Sequence, residues 1–287
     1  MTKWKSLTGY LRRNNRLTVG VVMILVLVLF GTVGQLFIEE KAAYPLAAMP
    51  NQPPSAKYPF GTDSQGRDLL ATAIMGTYLT LRIGVTAGVL GLAVGTFVGF
   101  VAAYYGGKLD TFIRWLVDVL ITIPSLLVLV VIASTLRGQG GMDVNGMALV
   151  VAVLAWMFPA RIIRSQVLTL RQRAFVRVAQ LSGENNLEII FKELMPNLLP
   201  FLGASLVGSV TGAVFASLGL EALGLGPMRQ PTLGMTLYWV QYYGAFVRGM
   251  WWWIITPVAI LIIIFVGLFL ISAGLDELAN PRLRRKV

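Results

Sequence analysis

The sequence contains no cysteine and no histidine. Without thiols there is no disulfide framework and no thiolate chemistry. Without imidazole the chain loses the commonest general base, the commonest metal ligand and the usual switch near neutral pH. Charge is scarce as well: 13% of the 287 residues are Asp, Glu, Lys or Arg, where a soluble domain carries roughly 25%. The 13 acids are scattered and form no metal-ligand cluster. No G-x-x-x-x-G-K-[ST] run occurs, so the chain has no P-loop to cradle a nucleotide. The GLG at 224–226 lacks a preceding strand and a lysine, and reads as a helix exit or close helix packing. These absences leave the chain without a catalytic, cofactor or metal site of its own.

What is present is apolar. Hydrophobic residues make up 56% of the chain and the mean hydropathy is +0.73. Six apolar segments stand out, at about 17–37, 81–104, 112–134, 147–163, 198–220 and 251–273. A bilayer core of ~30 Å needs about 20 such residues in a helix. The expected fold is therefore all-α: a multi-pass membrane protein with six transmembrane helices. Pro159 in the fourth segment requires a neighbour to satisfy the carbonyl it frees. The first segment, preceded by Lys3, Lys5, Arg12, Arg13 and Arg16, has a signal peptide as its alternative reading, but its apolar run exceeds the ~7–15 residues of such a segment.

The net charge of +11 is placed unevenly. With the N-terminus inside, inner segments hold 17 Lys and Arg and outer segments 7. By the positive-inside rule both termini are cytoplasmic. The charge is thus a topology signal and not a nucleic-acid footprint. The organisation that follows is a cytoplasmic segment 1–16, a first span 17–37, a proline-rich extracytoplasmic loop 38–80, a core 81–273 and a cytoplasmic tail 274–287. Within the core, the inner connection 164–197 is the longest on its side.

That connection contains AQLSGENNLEIIFKELMPNLLP, at 179–200, a charged amphipathic stretch between apolar spans. Read as helix, Leu187, Ile190, Phe191, Leu194 and Leu198 form one apolar stripe. Gly183 interrupts it, and a sharp turn or close backbone approach explains a glycine there. The expectation is two short helices hinged at Gly183. An interfacial helix resting on headgroups is one reading, but such helices favour Lys and Arg on the polar face. Glu184, Glu188 and Glu193 point instead to a protein partner.

The same residues resemble the cytoplasmic loop motif of ABC importer permeases: EAA, three residues, Gly, nine residues, Ile, one residue, Leu-Pro. Arg177, Val178 and Ala179 stand at EAA, Gly183 at the glycine, Glu193 at the isoleucine, and Met195 and Pro196 at Leu-Pro. Arg177, Val178, Glu193 and Met195 depart from the general form; the dipeptide/oligopeptide branch is looser at the first position and at the isoleucine. PFGTDSQGRDLL (59–70), RWLVDVLITIPSLLV (114–128), LGLEALGLGPMRQPTLGMTL (218–237, with Glu221, Met228 and Arg229 departing) and GLDELANPRLR (274–284) also resemble that branch, in particular the "C" member of a permease pair. The resemblance implies that the loop is a coupling helix seated in a groove of an ATP-hydrolysing subunit. It implies Arg177, Ala179, Gly183, Glu184, Asn185 and Pro196 as contact or hinge residues. Pro196 and Pro200 are expected to break the loop from span five. The implied partners are a second homologous permease subunit, two ATPase subunits carrying ATP and Mg, an extracytoplasmic solute-binding protein and membrane lipid.

The remaining candidates have two readings each. Asp63 and Asp68 serve local structure by pairing with Arg67 or Arg82, or contact a binding protein. The glycines at 84, 88, 91, 95 and 99 let helices approach closely, or line a pore. Asp118 with Arg114 four residues before it forms an i,i+4 ion pair, or an intramembrane functional site. Glu221, at the outer end of span five, is expected to line the mouth. Tyr238, Trp239, Tyr242 and Tyr243 form an interfacial aromatic belt, or stack on solute, in which case oligosaccharide is as suitable a cargo as peptide. An ion-coupled transporter or channel would need midplane ionisable groups or broken helices. A scaffold using the inner helix only for docking is the further rival.

Overall fold

The computed structural model describes residues 14–137 and 141–279. Apart from one isolated bridge pairing Thr62 with Asp68, the regular structure among them is helical. Helix α1 (Asn15–Thr32) begins at Asn14, whose Oδ1 accepts the Leu17 N–H at 3.1 Å. It packs along the last helix, α10 (Trp251–Ala279), and against α2 (Leu69–Tyr105), while Val22, Leu25 and Val26 stay exposed on its far side. Among the described residues, four helical runs are long and apolar enough to cross a membrane, or six when each of two bent pairs is taken as one span.

Helix α2 is the central element. It starts at Leu69, not near residue 81, so the expected loop 38–80 ends at 68. The start is set by Asp68, whose Oδ1 caps the Leu70 N–H at 2.9 Å. Burial raises the Asp68 carboxyl pKa, against the lowering effect of the Leu70 and Ala71 N–H groups. Threonines and glycines dilute the hydropathy of this first stretch, yet Leu69, Ala71, Ala73 and Ile74 are buried. At 1.5 Å per residue its 37 residues reach about 55 Å, so it extends well past a ~30 Å apolar core. Its glycines serve packing. A Cβ on Gly88 would lie 2.8 Å from the Val210 backbone, and one on Gly95 2.6 Å from the Trp156 carbonyl oxygen.

The expected third span, 112–134, is two helices. Helices α3 (Gly107–Thr122) and α4 (Ser125–Arg137) meet at a bend of 81°. Pro124 holds Ile123 extended, at φ −76° and ψ 127°, as the residue before a proline is disposed to be. The fourth span likewise divides into α5 (Val144–Ala155) and α6 (Met157–Arg171), bent by 42°, and runs past residue 163. Pro159 lies in the first turn of α6, where a missing N–H costs little. The glycine face of α2 packs directly on this break.

Helix α7 (Ala174–Leu181) and a short turn lead into α8 (Met195–Ala222). The chain from Asn186 to Ala222 is one continuous helical run long enough to cross a membrane, so the expected inner connection 164–197 shrinks from both ends. The expected break at Pro196 and Pro200 does not occur. Pro196 sits in the first turn of α8, preceded by a π-helix, Ile189–Leu194, that admits it; Pro200 lies inside the helix. After α8 come α9 (Leu233–Tyr242) and α10, which continues through 274–279, the start of the expected tail. The segment 1–13 and the tail residues 280–287, including the NPRLR end of the tail stretch 274–284, lie outside the described residues.

Candidate functional site

The loop after α7 is built by two capping devices back to back. Gly183 has φ +81°. Its N–H donates to the Gln180 carbonyl at 3.2 Å and the Glu184 N–H to the Ala179 carbonyl at 3.1 Å. This is a Schellman motif, with glycine at the left-handed position. Nothing lies within 4 Å of where a Gly183 Cβ would be, so conformation and not crowding requires the glycine. Asn185 then opens the next turn through a capping box: its Oδ1 accepts the Glu188 N–H at 2.9 Å, and Glu188 Oε2 accepts the Asn185 N–H at 3.0 Å. The hinge expected at Gly183 is thus present, in a fixed geometry.

The buried face of the loop differs from the expected stripe. Leu187 and Phe191 are exposed, while Ile189, Leu194 and Leu198 are buried. The π-helix is the reason. Its wider turn places residues five apart on one face, and Ile189 and Leu194 are five apart, with Leu198 four further on. These three pack with Val176 and Ala179 of α7, Phe100 and Tyr104 of α2, and Ile163 and Val167 of α6. The Tyr104 hydroxyl donates to Asn186 Oδ1 at 2.8 Å, Arg171 Nη1 donates to the Ala103 carbonyl at 3.2 Å, and the Arg171 guanidinium lies over the Tyr104 ring. The loop is therefore tied to the far end of α2. Tyr104, Arg171 and Ile189 were not among the candidate residues; YY before GG at a helix end was the available signal.

Of the six loop candidates, Arg177, Gly183 and Pro196 are exposed. Ala179 is buried inside the loop's own core. The Asn185 side chain is exposed but engaged in the cap. Glu184 is half-buried, and its Oε2 has no hydrogen-bond partner in the structure. Leu187 and Phe191 add an unanticipated apolar surface beside them.

Near the bent spans, Arg114 Nε lies 3.6 Å from Asp118 Oδ2, with Arg161 Nη1 3.8 Å from the other oxygen. Arg164 takes a tight two-pronged grip on Asp110, with Nη2 2.6 Å from Oδ2. These acids are thus matched by arginines at the loop end of the bundle. A cleft of 670 Å³ runs between α3, α4, α5, α6 and α8, lined by Pro124, Phe158, Ser205, Gly208, Ser209 and Gly212 among others. No charged side chain lines it.

At the opposite end, Glu221 does not line a mouth. It is fully buried, accepts from Thr232 Oγ1 at 3.0 Å, and faces the Gly234 and Met235 N–H groups at the start of α9. A carboxylate at a helix N-terminus meets the unpaired amides and the positive end of the dipole. Tyr238, Trp239, Tyr242 and Tyr243 do cluster, with Tyr238 and Tyr242 stacked at 5.9 Å and Trp239 edge-on to Tyr242 at 5.6 Å. Tyr242 is exposed and the other three are half-buried. Asp63 is sealed in local structure: its Oδ2 lies 2.6 Å from Arg67 Nε, and its Oδ1 accepts the Gln65 and Arg67 N–H groups. Burial pushes the Tyr44 phenol pKa up, and the Glu40 charge adds to this.

Comparison with known proteins places this geometry. A dipeptide transport system permease protein of Bacillus subtilis is 28% identical over 96% of this chain and 84% of its own. A putative peptide transport system permease protein of Brucella abortus is 30% identical over 96% and 90%. An oligopeptide transport system permease protein of Mycobacterium bovis is 30% identical over 81% and 79%. Among solved structures, a chain from the inward-facing MetNI methionine ABC transporter covers 74% of this chain and 97% of its own, with a TM-score of 0.60 at 20% identity, which supports the fold. The sequence model of one family matches residues 95–285, a stretch that takes in the bent spans, the capped loop and α8. The chain belongs to that family, the binding-protein-dependent transport system inner membrane components.

Proposed function

We propose that the chain is one permease subunit of an ATP-driven importer of di- or oligopeptides. It pairs with a second homologous permease subunit, each contributing half of the pathway. Two ATPase subunits holding ATP and Mg dock on the cytoplasmic side, and a solute-binding protein delivers cargo outside. Both termini are cytoplasmic. The chain binds no cofactor and makes no bond; it alternates between states that the ATPase subunits bias.

The capped loop carries this reading. It presents Arg177, Leu187 and Phe191 outward, with Glu184 half-buried beside them, while its inner face is locked to α2 and α6. It continues without a break into α8, which lines the uncharged cleft. A push on the loop therefore moves a wall of the cleft. The names of the relatives support peptide as cargo. The exposed ring of Tyr242 beside Tyr238 keeps oligosaccharide as the second reading.

The test is ATP hydrolysis by the reconstituted complex, with binding protein added together with short peptides and then with oligosaccharides. Stimulation by peptide alone supports the proposal. Stimulation by oligosaccharide alone moves the cargo to sugars. Solute accumulation by a complex without any ATPase subunit sinks the importer reading and favours ion coupling.

A further inference from the structure

Among the described residues, the end of the molecule opposite the coupling loop contains three buried donors with nothing to bond, on Arg67, Trp239 and Trp253, and the first two are neighbours. Arg67 is 4% exposed. Its Nε is spent on Asp63, but its Nη2 is shut off from solvent and has no acceptor. The indole Nε1 of Trp239 is in the same condition. The two groups are neighbours: the guanidinium carbon lies 5.8 Å from the Trp239 ring centroid. Buried donors in folded proteins are overwhelmingly paired, so two orphans side by side call for an acceptor.

The space around them suits one. Arg67 opens on a cleft of 410 Å³ that it shares with Tyr44, Gln65, Met228 and Arg229. A second cleft of 560 Å³, lined by Trp239, Tyr243 and Ser64, adjoins it across Pro45, Gln65 and Met228. No Asp or Glu lines either cleft. Asp63 cannot serve, because both its oxygens are already engaged on the far edge of Arg67. Glu40 is exposed and lines neither. Tyr44 remains a neutral phenol. Two arginines against one committed acid leave the cleft short of one negative charge.

We propose that the two adjoining clefts form one carboxylate-binding site, in which the Arg67 and Trp239 side chains turn their unpaired Nη2 and Nε1, closed to solvent as the clefts stand, to the oxygens, and Arg229 supplies charge from the rim. A guanidinium fork matches a carboxylate's two oxygens, and an aromatic wall with few polar groups is the usual make-up of a small-ligand pocket. The carboxylate comes either from the C-terminus of a free peptide or from an acidic side chain of a docked binding protein. Only the choice of source rests on the importer reading; the site itself does not.

The experiment follows the Trp239 indole ¹⁵N–¹H resonance in the purified complex, identified by its loss in Trp239→Phe. Acetate is titrated against acetamide at constant ionic strength. Acetate is expected to shift the resonance saturably, and acetamide to leave it in place. Arg229→Gln, at an exposed position outside the fold's core, is expected to weaken acetate about tenfold, the effect of ~1.4 kcal/mol. Arg67 is left intact because its loss would strand the buried Asp63. A tripeptide that binds more tightly than acetate, while its C-terminal amide does not bind, assigns the site to solute. A tripeptide no better than acetate, with acetate displaced by binding protein, assigns it to the docked partner. Equal shifts with acetate and acetamide, or acetate binding indifferent to Arg229→Gln, overturn the proposal.

Discussion

Gly183 and Glu221 show how single residues hold this molecule to its geometry. Gly183 sits at φ +81° with open space around it, so a side chain there strains the backbone without clashing. An L-residue in that region costs roughly 1–2 kcal/mol, Asn less than most and β-branched residues more. Gly183→Val is expected to abolish stimulation of ATP hydrolysis by loaded binding protein while the complex still co-purifies, and Gly183→Asn to keep most of it. Equal stimulation in both would mean that the turn does not transmit. Thr232 caps α9 by accepting the Met235 N–H, the buried Glu221 supports that cap by accepting from the Thr232 hydroxyl, and Gln can accept the same hydrogen bond. Loss of a cap costs about 0.5–2 kcal/mol. Glu221→Ala is therefore expected to lower the melting temperature in detergent and Glu221→Gln to restore much of it, with transport intact. Loss of transport in a stable Glu221→Gln protein would point to ion coupling instead.

At the scale of elements, the spans were readable because length and hydropathy decide them, and their breaks were partly so. Pro124 after Ile123 is a visible stop, and reading 112–134 through it gave one helix where there are two. Asp68 before Leu69 is a visible cap, passed over because the following turns are rich in small and polar residues. The π-helix at Ile189–Leu194 had no local signal. A stripe drawn at 3.6 residues per turn selects Leu187 and Phe191, whereas the five-residue spacing buries Ile189. The two registers make opposite forecasts. Ile189→Ala is expected to cost about 2–4 kcal/mol, as for other buried Ile truncations, and Phe191→Ala to leave melting nearly unchanged. Phe191→Ala should instead weaken retention of the ATPase subunits. Thermal unfolding of the two variants decides it: a large loss at Phe191 and none at Ile189 would restore the ordinary helical register. The Arg67 cleft was the least readable feature, since it joins 44, 67 and 229 through chain folding alone.

In the whole molecule, glycine has two opposite uses, close packing on α2 and open space on much of α8. On α2 the glycines are filled sites: a Cβ on Gly95 would stand 2.6 Å from a backbone carbonyl at the α5–α6 break. On α8 Gly203, Gly208 and Gly212 are empty, with nothing within 4 Å of a Cβ, and the last two line the uncharged cleft, whereas Gly219 meets Leu126. A helix-interior glycine that meets nothing is a loss of about 1 kcal/mol relative to Ala, so folding of this chain alone does not account for it. On the importer reading, space for a passing solute or for an opposing permease subunit would. Gly95→Ala must push two backbones apart in a close-packed interface, an overpacking that typically costs 1–3 kcal/mol. Its expected outcome is poor recovery of folded protein. Gly212→Ala adds one methyl to open space and a better helix former to α8. It is expected to melt at or slightly above the parent temperature, while uptake of longer cargo falls more than uptake of the shortest. Size-resolved uptake by the reconstituted complex measures this directly. If Gly212→Ala lowers stability as Gly95→Ala does, α8 is packed against protein at that position and the cleft is not the solute's path. If stability holds and uptake of all lengths is unchanged, the wall of the pathway lies elsewhere on the bundle.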